Sequence, residues 1–249
     1  MPIYVDSHTR RCGYDQSIRC GSLLHALAVP ALFELAGDVA SRRLCDLACG
    51  QGIVARQLAE QGAEVVGIDL STKLLAIARR EEQARPSRIT YLHDDAQRLT
   101  TVADETFDGV LCNLALMDIP DLSATVRTVR RILRPGAWFA FSITHPCLDV
   151  ALGRERIVGD AGSTSGRAVR SYFVEGAWRS DNPAGVRGKV GAQHRMVSTY
   201  LNTLVEAGLV IECLREPQAA DAEASPVSIH RDVPTILAVR CRKPANEVP

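Results

Sequence analysis

Between residues 44 and 143, short apolar runs alternate with segments of helical period, and this alternation restricts the fold more than any other feature of the chain. Residues 44–48, 63–68, 89–92, 107–112 and 137–143 read as strands, apolar on both faces. Such strands belong in a parallel sheet covered on two sides, because right-handed crossovers carry the connecting helices onto both faces. Helices are expected over 53–61, with Val54 and Leu58 inward and Gly62 as the stop, and over 71–85, capped by Ser71 and ended by Pro86. Another opens at Asp121 or Ser123, carries Val126, Val129, Ile132 and Leu133 on one stripe, and ends at Arg134-Pro135-Gly136. A last helix over 198–207, stopped by Gly208, precedes two strands at 209–214 and 235–241.

Two segments break the rhythm. A helix over 22–35 precedes the first strand. The stretch 146–193 is rich in Gly, Ser and Arg and carries Tyr172, Phe173 and Trp178; an insertion of that length is expected to be a lid that closes on something flat or apolar. The 249 residues therefore read as one domain: a helical cap (1–43), a ligand-binding core (44–145), the lid (146–193), and a C-terminal helix and strands (194–249).

Composition excludes several classes. Basic and acidic residues balance at 29 each, whereas nucleic-acid binding relies on a basic excess, so no nucleic-acid partner is expected. The eight cysteines show no C-x-x-C pair and read as reduced, three of them (Cys45, Cys112, Cys213) inside strand-like runs where a thiol behaves as a small hydrophobe. No metal-ligand spacing occurs, so metal-independent chemistry is expected. The start lacks the basic-then-apolar pattern of a signal peptide, and the most apolar window, 23–36, is shorter than the ~20 residues of a membrane span. The expectation is a cytoplasmic protein with no membrane partner, monomeric or homodimeric.

The informative motif is LCDLACGQG at 44–52: a strand bearing Asp46, then Gly50 and Gly52 in the turn, then a helix. Glycine there permits positive φ and close approach of a ligand to the backbone. Asp69 ends the second strand about 20 residues on, where a carboxylate can accept from both hydroxyls of a ribose. Asp95 and Ala96 follow the third strand, a carboxylate for an exocyclic amine and a backbone N–H for an adenine ring nitrogen, and Asn113 ends the fourth. Gly50-Gln51-Gly52-Ile53-Val54-Ala55 formally satisfies the dinucleotide pattern G-x-G-x-x-A. However, Asp46 immediately before the turn would repel a pyrophosphate. It would attract a nucleoside bearing an ammonium and a sulfonium, which points to S-adenosylmethionine (SAM).

In these residues (DLACGQG, GIDLS, DDAQ, FDGVLCN and LRPGAWFAFSI) the chain resembles the class I SAM-dependent methyltransferases. The likeness is to the small-molecule group of ubiquinone/menaquinone-type and natural-product tailoring enzymes. It implies an α/β fold: a Rossmann-like, doubly wound seven-stranded sheet in order 3-2-1-4-5-7-6 with the last strand antiparallel, an N-terminal helix, and a lid after the fifth strand. It implies that Asp46, Ala48, Gly50 and Gly52 hold the methionine part of SAM, Asp69 and Leu70 the ribose, and Asp95 and Ala96 the adenine. Asn113 and Leu114 would line the methyl end. Many members have glycine where this chain has Ala48.

The function so implied is methyl transfer from SAM to O, N or C of a small metabolite, secondary metabolism being one setting. A base is needed only where the acceptor starts protonated. His145, after the fifth strand, is the candidate, since an imidazole with a pKa near ~6.5 suits proton transfer at neutral pH. His194, expected to open the last helix, is a second candidate. Arg11 and Tyr14 could reach the SAM carboxylate, and Arg187, Lys189 and Arg195 border the lid where an anionic acceptor could be read. The competing readings are a non-catalytic SAM-binding protein and an NAD-dependent reductase, the latter lacking a Tyr-x-x-x-Lys donor.

Overall fold

The computed structural model describes residues 23–147, 156–158, 164–167, 169, 171–180, 183, 186–218 and 233–245. Arg11 and Tyr14, like the rest of 1–22, lie outside them, as does most of 148–170. Each apolar run of the core becomes a strand: β1 (Arg43–Leu47), β2 (Glu64–Asp69), β3 (Thr90–His93), β4 (Phe107–Asn113) and β5 (Leu133–Thr144). The helices between them are α1 (Leu23–Ala36) before β1, α2 (Ile53–Glu60), α3 (Thr72–Ala84) and α4 (Leu122–Ile132). The sequence signals act as expected at two starts. The Ser71 hydroxyl accepts from Leu74 N–H at 3.3 Å, and Asp121, not Ser123, caps α4 by accepting from Ala124 N–H at 2.8 Å.

After β5 come β6 (Arg156–Val158), β7 (Thr164–Arg167), β8 (Gly176–Trp178), α5 (Val186–Val190), β9 (Ala192–His194), α6 (Val197–Glu206), β10 (Val210–Arg215) and β11 (Ile236–Arg242). The seven-stranded sheet runs β10-β11-β5-β4-β1-β2-β3. Strands β1 to β5 are parallel to one another, and β11 is antiparallel to both β5 and β10. This is the doubly wound order implied by the sequence. Chain order reverses at β1, which pairs with β2 on one side and β4 on the other.

Alternate residues along each strand feed two cores. Cys45, Leu47, Ile68, Phe139, Phe141 and Val239 pack with Val126, Val129 and Ile132 of α4 and Tyr200 and Leu204 of α6. Leu44, Val65, Trp138, Ala140 and Ala238 pack on the other face with α1, α2 and α3 through Leu32, Leu35, Val54, Leu58 and Leu75. Among the described residues, Cys45, Cys49, Cys112, Cys147, Cys213 and Cys241 are free thiols, and no helix is long and apolar enough to cross a membrane.

Two local expectations are corrected. Arg134-Pro135-Gly136 is not a loop: α4 passes directly into β5, where Leu133 already pairs with Phe107, and the sequence is absorbed as a register shift with Gly136 at φ 79°. His194 does not open α6; it is the last residue of β9. The insertion also contains regular structure, with β6 pairing with β7 and β8 with β9 as separate two-stranded sheets.

Candidate functional site

An open cleft lies at the carboxyl ends of β1–β4, beside the reversal of strand order, where ligands of open α/β sheets bind. The glycine turn after β1 gives it Ala48 and Gly50; β2 and the start of α3 give Ile68, Asp69, Leu70 and Leu74. The turn after β3 gives Asp94, Asp95 and Ala96, and the end of β4 with the turn that follows gives Asn113, Leu114, Ala115, Asp118 and Ile119. The structure thus brings Ala48, Gly50, Asp69, Leu70, Asp95, Ala96, Asn113 and Leu114 together. Asp46 and Gly52 are not among the lining residues.

Gly50 and Gly52 have different tasks. Both have positive φ, 56° and 76°. A Cβ on Gly50 would meet only a Leu74 methyl, at 3.9 Å, so the backbone there faces open space. One on Gly52 would run into the Tyr91 phenol oxygen and lie 2.9 Å from its Cζ, and one on Gly67 of β2 would lie 2.7 Å from the same ring. Gly52 therefore makes room for Tyr91, and the Gly50 backbone alone is left for a ligand. Ala48 holds φ 55° with a side chain, which explains why glycine suits the position.

Asp46 lies beneath this turn, 1% exposed, with Oδ2 accepting the Ala55 N–H of α2 at 2.9 Å. Burial, with a smaller contribution from nearby Asp69, pushes its carboxyl up to about 7 against the Ala55 hydrogen bond. A group so placed ties β1 to α2 and holds a proton far more readily than an ordinary carboxyl, so it is not the anion at the mouth that the sequence suggested. The negative charge comes instead from Asp69, Asp94 and Asp95, with Asp118 also in the lining but paired to Arg187, and no Lys or Arg is among the lining residues.

Asp69 accepts Gly50 N–H through Oδ2 at 2.8 Å and Ser71 N–H through Oδ1 at 2.7 Å. Burial raises its pKa against these two bonds, and each oxygen keeps acceptor capacity for a further donor. Asp94 is committed to the turn, accepting from Asp95 N–H, Thr101 N–H and the Thr101 hydroxyl, each at 2.7 Å; these bonds hold its carboxyl below the usual range despite partial burial. Asp95 is held by Gln97, whose backbone N–H reaches Oδ1 at 2.9 Å and whose side-chain amide reaches both oxygens at 3.0 Å. His93 Nε2 lies 2.9 Å from the Leu70 carbonyl. On β4, Asn113 stands opposite Ser142 of β5, and the Ser142 hydroxyl donates to Asn113 Oδ1 at 2.8 Å.

His145 and His194 stand apart from the cleft lining. His145 is buried; its Nδ1 accepts Cys147 N–H at 3.3 Å and its Nε2 meets Glu216 Oε1 at 3.0 Å, with its backbone N–H on the Thr235 carbonyl. Burial lowers its pKa against the Glu216 carboxylate. A neutral ring in this arrangement carries its proton on Nε2 and has no nitrogen free to take one from an acceptor. His194, also buried, faces the Tyr172 carbonyl through Nε2 at 2.8 Å. Of the insertion's aromatics, Tyr172 accepts Val197 N–H on its hydroxyl at 3.0 Å, Trp178 is buried, and Phe173 is 83% exposed.

Sequence reasoning passed over Ile68, Leu74, Asp94, Ala115, Asp118 and Ile119 as lining residues. Asp118 sits in a single 3-10 turn, Leu116–Asp118, directly after β4; an acidic residue five positions beyond a strand-ending Asn113 was the available signal. Arg187 and Arg195 do not stand free for an acceptor: the first pairs with Asp118, and the second is buried against backbone carbonyls.

A methyltransferase domain family matches residues 45–141. A ubiquinone biosynthesis O-methyltransferase of Bordetella avium is 36% identical over 122 residues, covering 48% of this chain and 51% of that protein. The enzyme of the same name from Pseudomonas putida is 28% identical over 187 residues, 72% of this chain and 81% of its own length. The chain spans about half the length of the Bordetella and Aliivibrio relatives it matches. Among solved structures, an S-adenosylmethionine-dependent methyltransferase from Mesorhizobium loti superposes with a TM-score of 0.74 at 32% identity, covering 89% of this chain and 98% of the other. A Burkholderia thailandensis 1,6-didemethyltoxoflavin N1-methyltransferase, at 15% identity and a TM-score of 0.61 over 92% of this chain and 82% of that one, shares the fold.

Proposed function

The chain belongs to the class I SAM-dependent methyltransferases, and we propose that it is a working enzyme that methylates O, N or C of a small metabolite. The observation that carries this reading is the charge of the cleft: four carboxylates line it and no Lys or Arg does. A diphosphate would meet carboxylates there with no cation among the lining residues, whereas a cationic nucleoside conjugate gains. The residues fit SAM in shape as well. Space opens over the Gly50 backbone, and Asp69 offers two oxygens held in place by backbone N–H groups.

When bound, SAM supplies a methyl group already activated by positive sulfur, so alignment and exclusion of water are what the protein must add. In this proposal Asp69 and Leu70 hold the ribose, and Asp95 and Ala96 the adenine. Ala48 and Gly50 border the methionine part, and Asp46 acts from below by fixing the turn to α2. The ends of β3, β2, β1 and β4 lie side by side in that order. Adenine, ribose and methionine then run from β3 towards β1, with Asn113 and Leu114 lining the methyl end and Asp118 and Ile119 beside them on the β4 side, where the acceptor would enter. A base role for His145 would require it first to release Glu216; in the arrangement seen it joins the ends of β5 and β10. The names of the bacterial relatives, ubiquinone biosynthesis O-methyltransferases, favour oxygen as the acceptor atom; the proposal sets the reaction in the cytoplasm, with no nucleic acid involved.

The test is to incubate the protein with trideuteromethyl-labelled SAM and separate small-molecule, RNA and protein fractions of a cell extract. Label in the small-molecule fraction is expected. Label in RNA or protein, or in no fraction, would overturn the proposal.

A further inference from the structure

The β4 side of the cleft is held from outside the sheet. The turn Leu116–Asp118, continuing into Ile119 and Pro120, puts Asp118 and Ile119 into the cleft wall. Its own backbone bonds are short-range: Asp118 N–H to the Ala115 carbonyl at 2.8 Å and Ile119 N–H to the Leu116 carbonyl at 3.3 Å. Two arginines flanking β9 grip it. Buried Arg195 donates from Nη1 to the Leu116 carbonyl at 3.0 Å and from Nη2 to the carbonyls of Ile119 at 2.6 Å and Pro120 at 2.7 Å. Its guanidinium also lies 5.8 Å from the centre of the Tyr200 ring on α6. Arg187, on α5, pairs with Asp118 Oδ1 and donates to the Gly191 carbonyl at 3.1 Å.

A guanidinium presents five donors in a rigid plane, so three carbonyls bound to one such plane fix the turn relative to β9. Strand β9 is in turn paired with β8, Trp178 opposite Ala192 and Gly176 opposite His194. Any ligand that presses on Asp118 or Ile119 therefore acts on two arginines rooted in another part of the chain.

We propose that Arg187 and Arg195 are positioning residues that join the acceptor-side wall of the cleft to the β8–β9 hairpin, so that filling the cleft tightens the hairpin. The proposal rests on the methyltransferase reading for the choice of probe, S-adenosylhomocysteine (SAH). Amide hydrogen exchange is followed on the full chain with and without saturating SAH, with binding confirmed by calorimetry on the same samples. In the wild type, exchange should slow by about fivefold or more in β8 and β9 as well as at the ends of β1 and β2, fivefold being the lower end of ordinary coupling between sites. In Arg187→Gln and in Asp118→Asn, which break the pair from opposite sides, the slowing at β8 and β9 should be lost while that at β1 and β2 remains. Arg187→Lys, which keeps the charge, should retain part of it. Arg195→Gln should behave as Arg187→Gln does; if it fails to fold, the Arg187 and Asp118 variants decide. SAH binding that leaves β8 and β9 unchanged in the wild type, or slows them equally in the variants, overturns the proposal alone. Absence of SAH binding overturns the cofactor reading and the proposal with it.

Discussion

Replacing Asp46 with Asn separates its structural role from the ligand-facing one that its place in the sequence suggests. The carboxyl titrates at about 7 in the folded protein against an ordinary 3.8, a preference for the neutral form of about 4 kcal/mol. Between those values the folded state keeps a proton that the unfolded chain releases. Folding then takes up a proton, and stability contributed by this group falls as pH rises through that window and levels off above about 7. The Asn variant lacks this slope. Its Oδ1 still accepts Ala55 N–H, but its amide nitrogen enters a buried site built for a carboxyl, a cost of about 1–3 kcal/mol. Urea unfolding of both proteins at pH 4.5 and 7.5 should show the variant less stable at the lower pH. It should gain about 3 kcal/mol on the wild type by the higher pH. A difference that does not change with pH, or that moves the other way, would refute a buried, proton-holding Asp46.

The two glycines should part company. Gly52→Ala should cost about 2–3 kcal/mol of stability, left-handed strain plus displacement of Tyr91. Gly50→Ala should cost only about 1–2 kcal/mol but weaken SAH binding about tenfold, because its methyl group enters the cleft; thermal unfolding and calorimetry report the two effects. Asp69→Ala should weaken SAH about 100-fold and, because Gly50 and Ser71 N–H lose their acceptor, cost about 1–3 kcal/mol of stability as well. An unaltered affinity would remove Asp69 from the site. For His145, whose folded pKa is lowered, the unfolded chain binds the proton first, so acidification below about 6.5 should destabilise the wild type, and His145→Gln should flatten that slope. An identical pH profile in the two proteins would contradict the buried, neutral ring.

What the sequence showed of the fold was whatever depended on burial. A strand apolar on both faces, such as Val65 to Ile68, has few alternatives to a central parallel position. The caps at Ser71 and Asp121 were legible because capping is local chemistry. What escaped depended on partners distant in sequence. Gly52 looks like a ligand glycine until Tyr91, 39 positions on, fills the space above it. Asp46 looks like a mouth anion until the turn folds over it. His145 looks like a base until Glu216 and Cys147 occupy its two nitrogens. Arg195 reads as a charge bordering the lid, and only the tertiary fold brings it to the carbonyls of Leu116, Ile119 and Pro120. Pro135 and Gly136 mark a turn in most contexts, yet here β5 absorbs them because Leu133 is already paired with Phe107.

The account stands on a cleft that selects a cationic nucleoside conjugate and refuses a dinucleotide. Side-by-side calorimetric titration of the purified protein with SAM, SAH and NAD tests it directly. One-to-one binding of SAM and SAH, lost in Asp69→Ala, with no heat from NAD, is the predicted result; NAD binding in the absence of SAM or SAH binding would contradict it.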